Sequence, residues 1–219
     1  MVKKLLIDLI FPPKCMLCNE VISVGDKCEN CRKKAEKYAL SQYGRQIKHS
    51  CFKNLDKCIS FYQYKGIIRD GLLYAKFKSC SAFVEEFLSY TDFDFESFFK
   101  ENDIDVIVSV PFHKSKLYDS EYDLPQEMAR KIAKSTGLGY NKNLVIKVKK
   151  TKNQHDLSLS ERKINLKGAF SVKGDVKGKN IAVVDDIIST GYSLEEVAGT
   201  LKKSGASGVV GITFAYNNG

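Results

Sequence analysis

Beyond residue 57, hydrophobic positions fall into two rhythms. The runs CISFYQY (58–64), DIDVIVSVP (103–111), NIAVVDD (180–186) and GVVGITFA (208–215) are short, β-branched and almost continuously apolar, as strands buried on both faces are. Between them, IIRDGLLYAKFKSCSAFVEEFLSY (67–90), DLPQEMARKIAKSTGLG (123–139) and SLEEVAGTLKKSGA (193–206) repeat apolar residues at helical spacing. The second of these has a proline in its first turn and a glycine at its end, the expected start and stop signals. NLVIKVKK (143–150) adds one more strand-like stretch. Buried strands alternating with helices predict an α/β fold, a mostly parallel sheet with helices on both faces.

Residues 1–57 do not share that rhythm. Their signal is CMLCNEVISVGDKCENC, which places Cys15, Cys18, Cys28 and Cys31 as two CxxC knuckles, with a hairpin turn expected at Val24-Gly25-Asp26. Two such knuckles let four thiolates converge on one zinc, and a closed four-thiolate tetrahedron leaves no open position for water or substrate. The zinc is therefore structural, and the chemistry lies elsewhere. The pattern divides the chain into a small zinc-binding module (1–57) and a larger α/β domain (58–219). Cys51, Cys58 and Cys80 have no partner at knuckle spacing and are expected to remain thiols; a degenerate second site built on Cys51 and Cys58 is the alternative.

Composition narrows the class. A chain of 219 residues that is 43% hydrophobic can bury a substantial core. No apolar segment approaches the roughly 18 residues of a membrane-spanning helix, and MVKKLLIDLIFPPKC lacks a small-residue cleavage site. The expectation is a cytoplasmic protein without membrane insertion, in which seven cysteines do not form a disulfide framework. The formal charge of +9 calls for a polyanionic partner, either nucleic acid or a phosphate-rich small molecule. Residues 143–179 carry ten Lys and Arg against three Asp and Glu, so that stretch is either a solvated basic loop or a lid over an anion.

The stretch VVDDIISTGYS (183–193) decides between these. It places Asp185 and Asp186 where a buried strand reaches the carboxyl edge of the sheet, the position at which such folds bind ligands. After Ile187 and Ile188, the residues Ser189, Thr190, Gly191, Tyr192 and Ser193 offer successive N–H groups and hydroxyls to a phosphate at a helix N-terminus. Ser193-x-x-Glu196 has the pattern of a capping box opening that helix. Two carboxylates cannot bind the phosphate themselves, but they can accept hydrogen bonds from a diol. A ribose 5-phosphate satisfies both halves of the stretch.

At these residues the sequence resembles the phosphoribosyltransferases, whose signature is an apolar strand, two acids, two residues, then S/T-T-G-x-S/T. The order of zinc knuckles, FYQYKGIIRDGLLYAKFK, VSVPFHKSK, KKTKNQHDLSLSERKINLKGAFSV and VVDDIISTGYS is similar to the ComF/GntX-type competence proteins over almost the whole chain. The resemblance implies phosphoribosyl pyrophosphate with Mg²⁺ as ligand, Asp185 and Asp186 on the ribose, and Ser189, Thr190, Gly191, Tyr192 and Ser193 on the 5′-phosphate. It also implies that the turn after Val110-Pro111 faces the pyrophosphate. Thr151, Gln154, Leu157, Arg162, Asn165, Gly168, Ala169 and Phe170 match the family's T-x-x-Q-x-x-L…R-x-x-N-x-x-G-A-F loop, which favours the lid over the solvated loop.

Two departures bear on activity. Ser120-Glu121-Tyr122-Asp123-Leu124 stands where the family usually reads R-G-F-N-Q, and Lys149 or Lys150 stands where an arginine is usual. Binding is expected to survive these changes better than transfer. His113 and His155 are candidate bases by position alone, and Phe61, Tyr62, Tyr64 and Phe77 either line an acceptor cleft or pack in the core. Three functions follow: a protein that binds phosphoribosyl pyrophosphate and assists DNA uptake in natural transformation, an active transferase of nucleotide or amine metabolism, or a zinc-bearing adaptor for single-stranded DNA with a vestigial pocket.

Overall fold

The computed structural model describes residues 14, 15, 17, 18, 20–22, 28–41, 44–78, 81–112, 123–151 and 159–218. Val24-Gly25-Asp26, Cys80, His113, His155, Gln154, Leu157 and the 120–122 segment lie outside them. The elements in chain order are α1 (Glu29–Glu36), β1 (Arg45–Gln46), β2 (Lys57–Gln63), α2 (Gly66–Lys78), α3 (Ser81–Leu88), α4 (Phe95–Glu101) and β3 (Val106–Ser109), then α5 (Leu124–Thr136), β4 (Val145–Lys147), α6 (Leu159–Leu166), β5 (Phe170–Val172), β6 (Asn180–Ile188), α7 (Tyr192–Lys203) and β7 (Gly208–Tyr216).

The main sheet runs β1-β2-β7-β6-β3. β2, β7, β6 and β3 are parallel, and only the two-residue β1 is antiparallel. β7 lies at the centre because GVVGITFAY is buried along all but its ends, as a strand covered on both faces must be. Alternation along β6 sends Ala182 and Val184 to one face, under α2, α3 and α5, and Ile181 and Val183 to the other, under α7. On α7 the apolar positions Leu194, Val197, Ala198 and Leu201 keep helical spacing and are buried against that second face. α5 begins as its sequence requires: Asp123 Oδ1 accepts from Gln126 N–H (2.9 Å), Pro125 stands in the first turn, and Gly137 closes the helix at φ 72°.

The helical pattern at 67–90 falls in α2 and α3, on either side of residues 79 and 80, which lie outside the described residues. The strand expected at 180–186 continues to Ile188, because Ile187 and Ile188 still pair with Ala215 and Tyr216. The basic stretch is a ribbon: β4 and β5 pair antiparallel, Val145 with Val172 and Lys147 with Phe170, and α6 lies in the connection between them. Among the described residues no helix is long and apolar enough to cross a membrane. Residues 38–41 and 44–57 pack onto the large sheet. Leu40 N–H donates to Phe61 O, β1 pairs with β2, and Ile47 and Leu55 are buried on the α7 face.

Candidate functional site: the acid pair, its loop and the cysteine cluster

Asp185 lies opposite Thr213 near the carboxyl end of β6, followed by Asp186. Each carboxylate turns back on the chain: Asp185 Oδ1 accepts from Asp186 N–H at 3.0 Å, and Asp186 Oδ1 from Ile187 N–H at 2.7 Å. Burial raises the Asp185 carboxyl well above the usual carboxylate range, the Asp186 charge adds to the rise, and Lys76 opposes it. Asp123 joins this neighbourhood. Burial pushes it up to about 6, with Asp186 adding and the capped Gln126 N–H opposing. The Asp186 charge thus acts on both Asp185 and Asp123, and a hydroxyl donor or a cation beside Asp186 would relieve that repulsion.

The loop is tighter than the sequence suggested. Ile188 is buried in the strand, so its side chain supports the loop from below, and Ser189, Thr190 and Gly191 alone separate β6 from α7. Asp185, Ile187, Ile188, Ser189, Thr190, Gly191, Tyr192, Ser193 and Leu194 line a small cup there. Gly191 is the N-cap of α7 at φ 72°, a conformation L side chains rarely adopt, and a Cβ on it would meet Phe52 Cε1 at 2.6 Å. The capping box does not form. Ser193 lies inside the first turn of α7, not before it, no side chain caps the helix, and Glu196 Oε1 instead accepts from Gly168 N–H at 2.7 Å. That bond ties the basic ribbon to α7, one residue beyond its first turn. Gly168 has φ 66°, and Ala169 and Phe170 are buried beneath it, which gives the G-A-F run a packing reason.

Val110 and Pro111 follow β3, and Val110 N–H donates to Val184 O (2.9 Å), so the start of the next turn stands beside the acid strand. Arg162 is on α6 within the ribbon; its side chain lies outside the described set, as does Gln154. Lys76 was not singled out by sequence. It lies close enough to lower the Asp185 carboxyl, and its Nζ is 5.8 Å from the Phe112 ring centroid, at the start of the same turn. Its only sequence trace is a lysine beside the buried Ala75, which periodicity alone does not distinguish from a solvated one. Phe61 and Tyr62 are buried in the core, also lining a separate cleft of about 620 Å³ between α1 and residues 89–92 that none of the acid-pair or loop residues reaches.

In the cysteine cluster all four Sγ atoms lie within 4.8 Å of one another, with Cys15 to Cys31 and Cys18 to Cys28 both at 3.6 Å. Zinc–sulfur bonds of about 2.3 Å in a tetrahedron require sulfurs about 3.8 Å apart, so the four residues fit that ion. Lys14 bridges Val21 and Cys15 N–H donates to Glu20 O to form the first knuckle; Cys28 starts the second at the N-terminus of α1. Cys15 also reaches within 3.9 Å of Glu86 on α3, which docks the cluster against the larger domain. Cys58 is buried, and burial with the Asp185 charge pushes its thiol up to about 12, while Cys51 Sγ donates to Thr190 O; among the described residues no metal-type group includes either.

Residues 124–219 match the phosphoribosyl transferase domain family. The DNA utilization protein YhgH of Salmonella typhi is 32% identical over 105 residues, 48% of this chain and 46% of that protein. Competence protein F of Haemophilus influenzae is 31% identical over 104 residues, 46% and 45% of the respective chains. The match thus spans about half the length of these curated relatives. A purine phosphoribosyltransferase from Pyrococcus horikoshii Ot3 superposes with a TM-score of 0.34 at 21% identity, over 56% of this chain and 67% of that one. The similarity to the phosphoribosyl transferase domain thus lies in residues 124–219, and about half of the chain is similar to proteins named for DNA utilization and competence.

Proposed function

We propose that this chain binds phosphoribosyl pyrophosphate, or a closely related ribose 5-phosphate, in the cup at the end of β6, and that it does so in the cytoplasm in the service of DNA utilization or uptake. The observation that carries the reading is the juxtaposition of Asp185 and Asp186 with a glycine-capped helix N-terminus, and a basic ribbon bonded to that same helix. Asp185 and Asp186 accept from the 2′ and 3′ hydroxyls. The N–H groups and hydroxyls of Ser189, Thr190, Gly191, Tyr192 and Ser193 hold the 5′-phosphate. The turn beyond Val110 and Pro111 faces the pyrophosphate, with Lys76 beside Phe112 at its start, and Gln154 and Arg162 contribute to ligand binding as the family's loop implies.

The carboxylates offer the hard oxygen donors that Mg²⁺ prefers, and the ion supplies charge compensation for the departing pyrophosphate when bound. Zinc held by Cys15, Cys18, Cys28 and Cys31 supplies no chemistry and fixes the N-terminal module. The division into a zinc module of residues 1–57 and a ligand-binding domain of residues 58–219 belongs to the same reading, with the later part of the module, from Tyr38 on, packed onto the domain's sheet. For the cellular role, the support is the relatives named for DNA utilization and competence, together with the +9 charge, which suits single-stranded DNA as a further partner.

Calorimetry with phosphoribosyl pyrophosphate, with and without Mg²⁺, tests the ligand. Saturable binding strengthened by Mg²⁺ is expected, and no heat at millimolar ligand overturns the reading. Titration with single-stranded DNA across salt concentrations tests the partner: affinity falling steeply with salt supports it, and no binding at low salt removes it.

A further inference from the structure

The phosphate loop is backed on its outer side by a segment far away in sequence. Cys51 Sγ donates to the Thr190 carbonyl at 3.1 Å across 139 residues. The Phe52 ring occupies the space that a Cβ on Gly191 would need. Glu195, in the first turn of α7, accepts from the backbone N–H groups of Lys53 (3.0 Å), Asn54 (3.1 Å) and Leu55 (3.2 Å), and from Asn54 Nδ2 at 2.6 Å.

Each contact has a consequence for an anion in the cup. In a trans peptide the C=O and the following N–H point in opposite directions, so anchoring the Thr190 carbonyl outward on Cys51 aims the Gly191 N–H inward. A carboxylate in the first turn of a helix ordinarily turns toward the helix's own N-terminal N–H groups and would compete there with a phosphate. The row of N–H groups at residues 53–55 takes the Glu195 carboxylate instead and leaves that end of α7 to the ligand. Phe52 prevents the loop from relaxing outward.

We infer that Cys51, Phe52 and Glu195 are positioning residues for the 5′-phosphate: segment 51–55 clasps α7 from outside and presets the donor geometry of the loop. This rests on the ribose 5-phosphate reading of the cup and adds to it a specific dependence on residues outside the loop.

The test compares ribose 5-phosphate, which engages the loop, with Mg²⁺-pyrophosphate, which engages the far side of the site, on the full chain by calorimetry. Cys51→Ala is expected to weaken ribose 5-phosphate about 3- to 10-fold and Glu195→Ala about 10- to 30-fold, as one or several hydrogen bonds are lost. Pyrophosphate affinity should stay within about 2-fold, and Cys51→Ser, whose hydroxyl still donates, should recover most of the loss. A merely structural role would lower both affinities together and would not be rescued by serine; either result overturns the inference. If the parent binds ribose 5-phosphate and all three variants bind it equally well, the clasp is wrong and the cup stands. If the parent binds neither ligand, the cup and the clasp fall together.

Discussion

The cysteine cluster and the phosphate loop are both short motifs, yet they are built in opposite ways. The cluster carries all its ligands within Cys15 to Cys31, so the metal that would bind there supplies the long-range order the segment lacks. The loop carries its donors within residues 185–193, but their geometry depends on Phe52, Cys51 and the Glu195 clasp, 139 to 142 residues distant in sequence. A motif that organises an ion can be read entirely from its spacing. A motif that organises backbone dipoles needs a rigid backing, and that backing leaves no local signature.

The sharpest break between the two should come from the metal. Replacing Cys28 with Ser removes one of four ligands and the residue at which α1 starts. Structural zinc in such sites is worth on the order of 10 kcal/mol of local folding free energy. Elemental analysis should find one zinc per parent chain and almost none in Cys28→Ser. Limited proteolysis should then open the N-terminal module and spare the sheet, whose two faces have their own cores. Loss of the whole fold would mean that the cluster, like the loop, depends on distant packing.

The same contrast explains what the sequence did and did not disclose. The parallel sheet was legible because β6 and β7 are buried on both faces, and α5 because Asp123, Pro125 and Gly137 mark its ends chemically. The acid pair and the cysteines were legible because their chemistry is local. The start of α7 was not, since Ser193 with Glu196 imitates a capping box although a tertiary bond uses Glu196 for the ribbon. Lys76 and segment 51–55 were missed for a common reason: their roles exist only once the chain folds over the end of β6.

A second prediction tests the local part of the loop. Asp185→Asn with Asp186→Asn retains size and removes the charged acceptors, and each lost charge-assisted bond should cost about 1.5–3 kcal/mol of phosphoribosyl pyrophosphate affinity. Inorganic phosphate should bind about as before, because the acids face the diol and not the phosphate. Unchanged phosphoribosyl pyrophosphate binding in the presence of Mg²⁺ would remove the diol assignment.

The distant part is tested by Gly191→Ala. The φ of 72° and the 2.6 Å approach to Phe52 both oppose a methyl group, and about 1–3 kcal/mol of stability and a comparable loss of phosphate affinity are expected. Adding Phe52→Ala removes the steric half and leaves the backbone half, so the double variant should recover part of the stability but little of the affinity. Full recovery of both would make Gly191 a packing residue only.

The smallest effect should be a pH dependence centred on Asp123. Its carboxyl titrates near 6 in the folded chain, raised by burial first and by Asp186 second, against an ordinary value of 3.8. Below about pH 4 both states hold the proton; between about 4 and 6 the folded state keeps it while the unfolded state loses it. The folded state therefore binds more protons in that window, and stability falls as pH rises through it before levelling off above about 6. The expected loss is on the order of 1–2 kcal/mol, because part of the carboxyl remains solvated. Asp123→Asn keeps a good N-cap for α5 and cannot ionise, so urea unfolding at several pH values should show a shallower slope and a more stable protein near pH 7. Asp185, raised for the same reasons, has the same sign and accounts for the slope that remains, which Asp185→Asn should reduce further. A parent protein that gains stability from pH 4 to 6 would show that burial and the Asp186 charge do not hold the Asp123 and Asp185 carboxyls above their ordinary range.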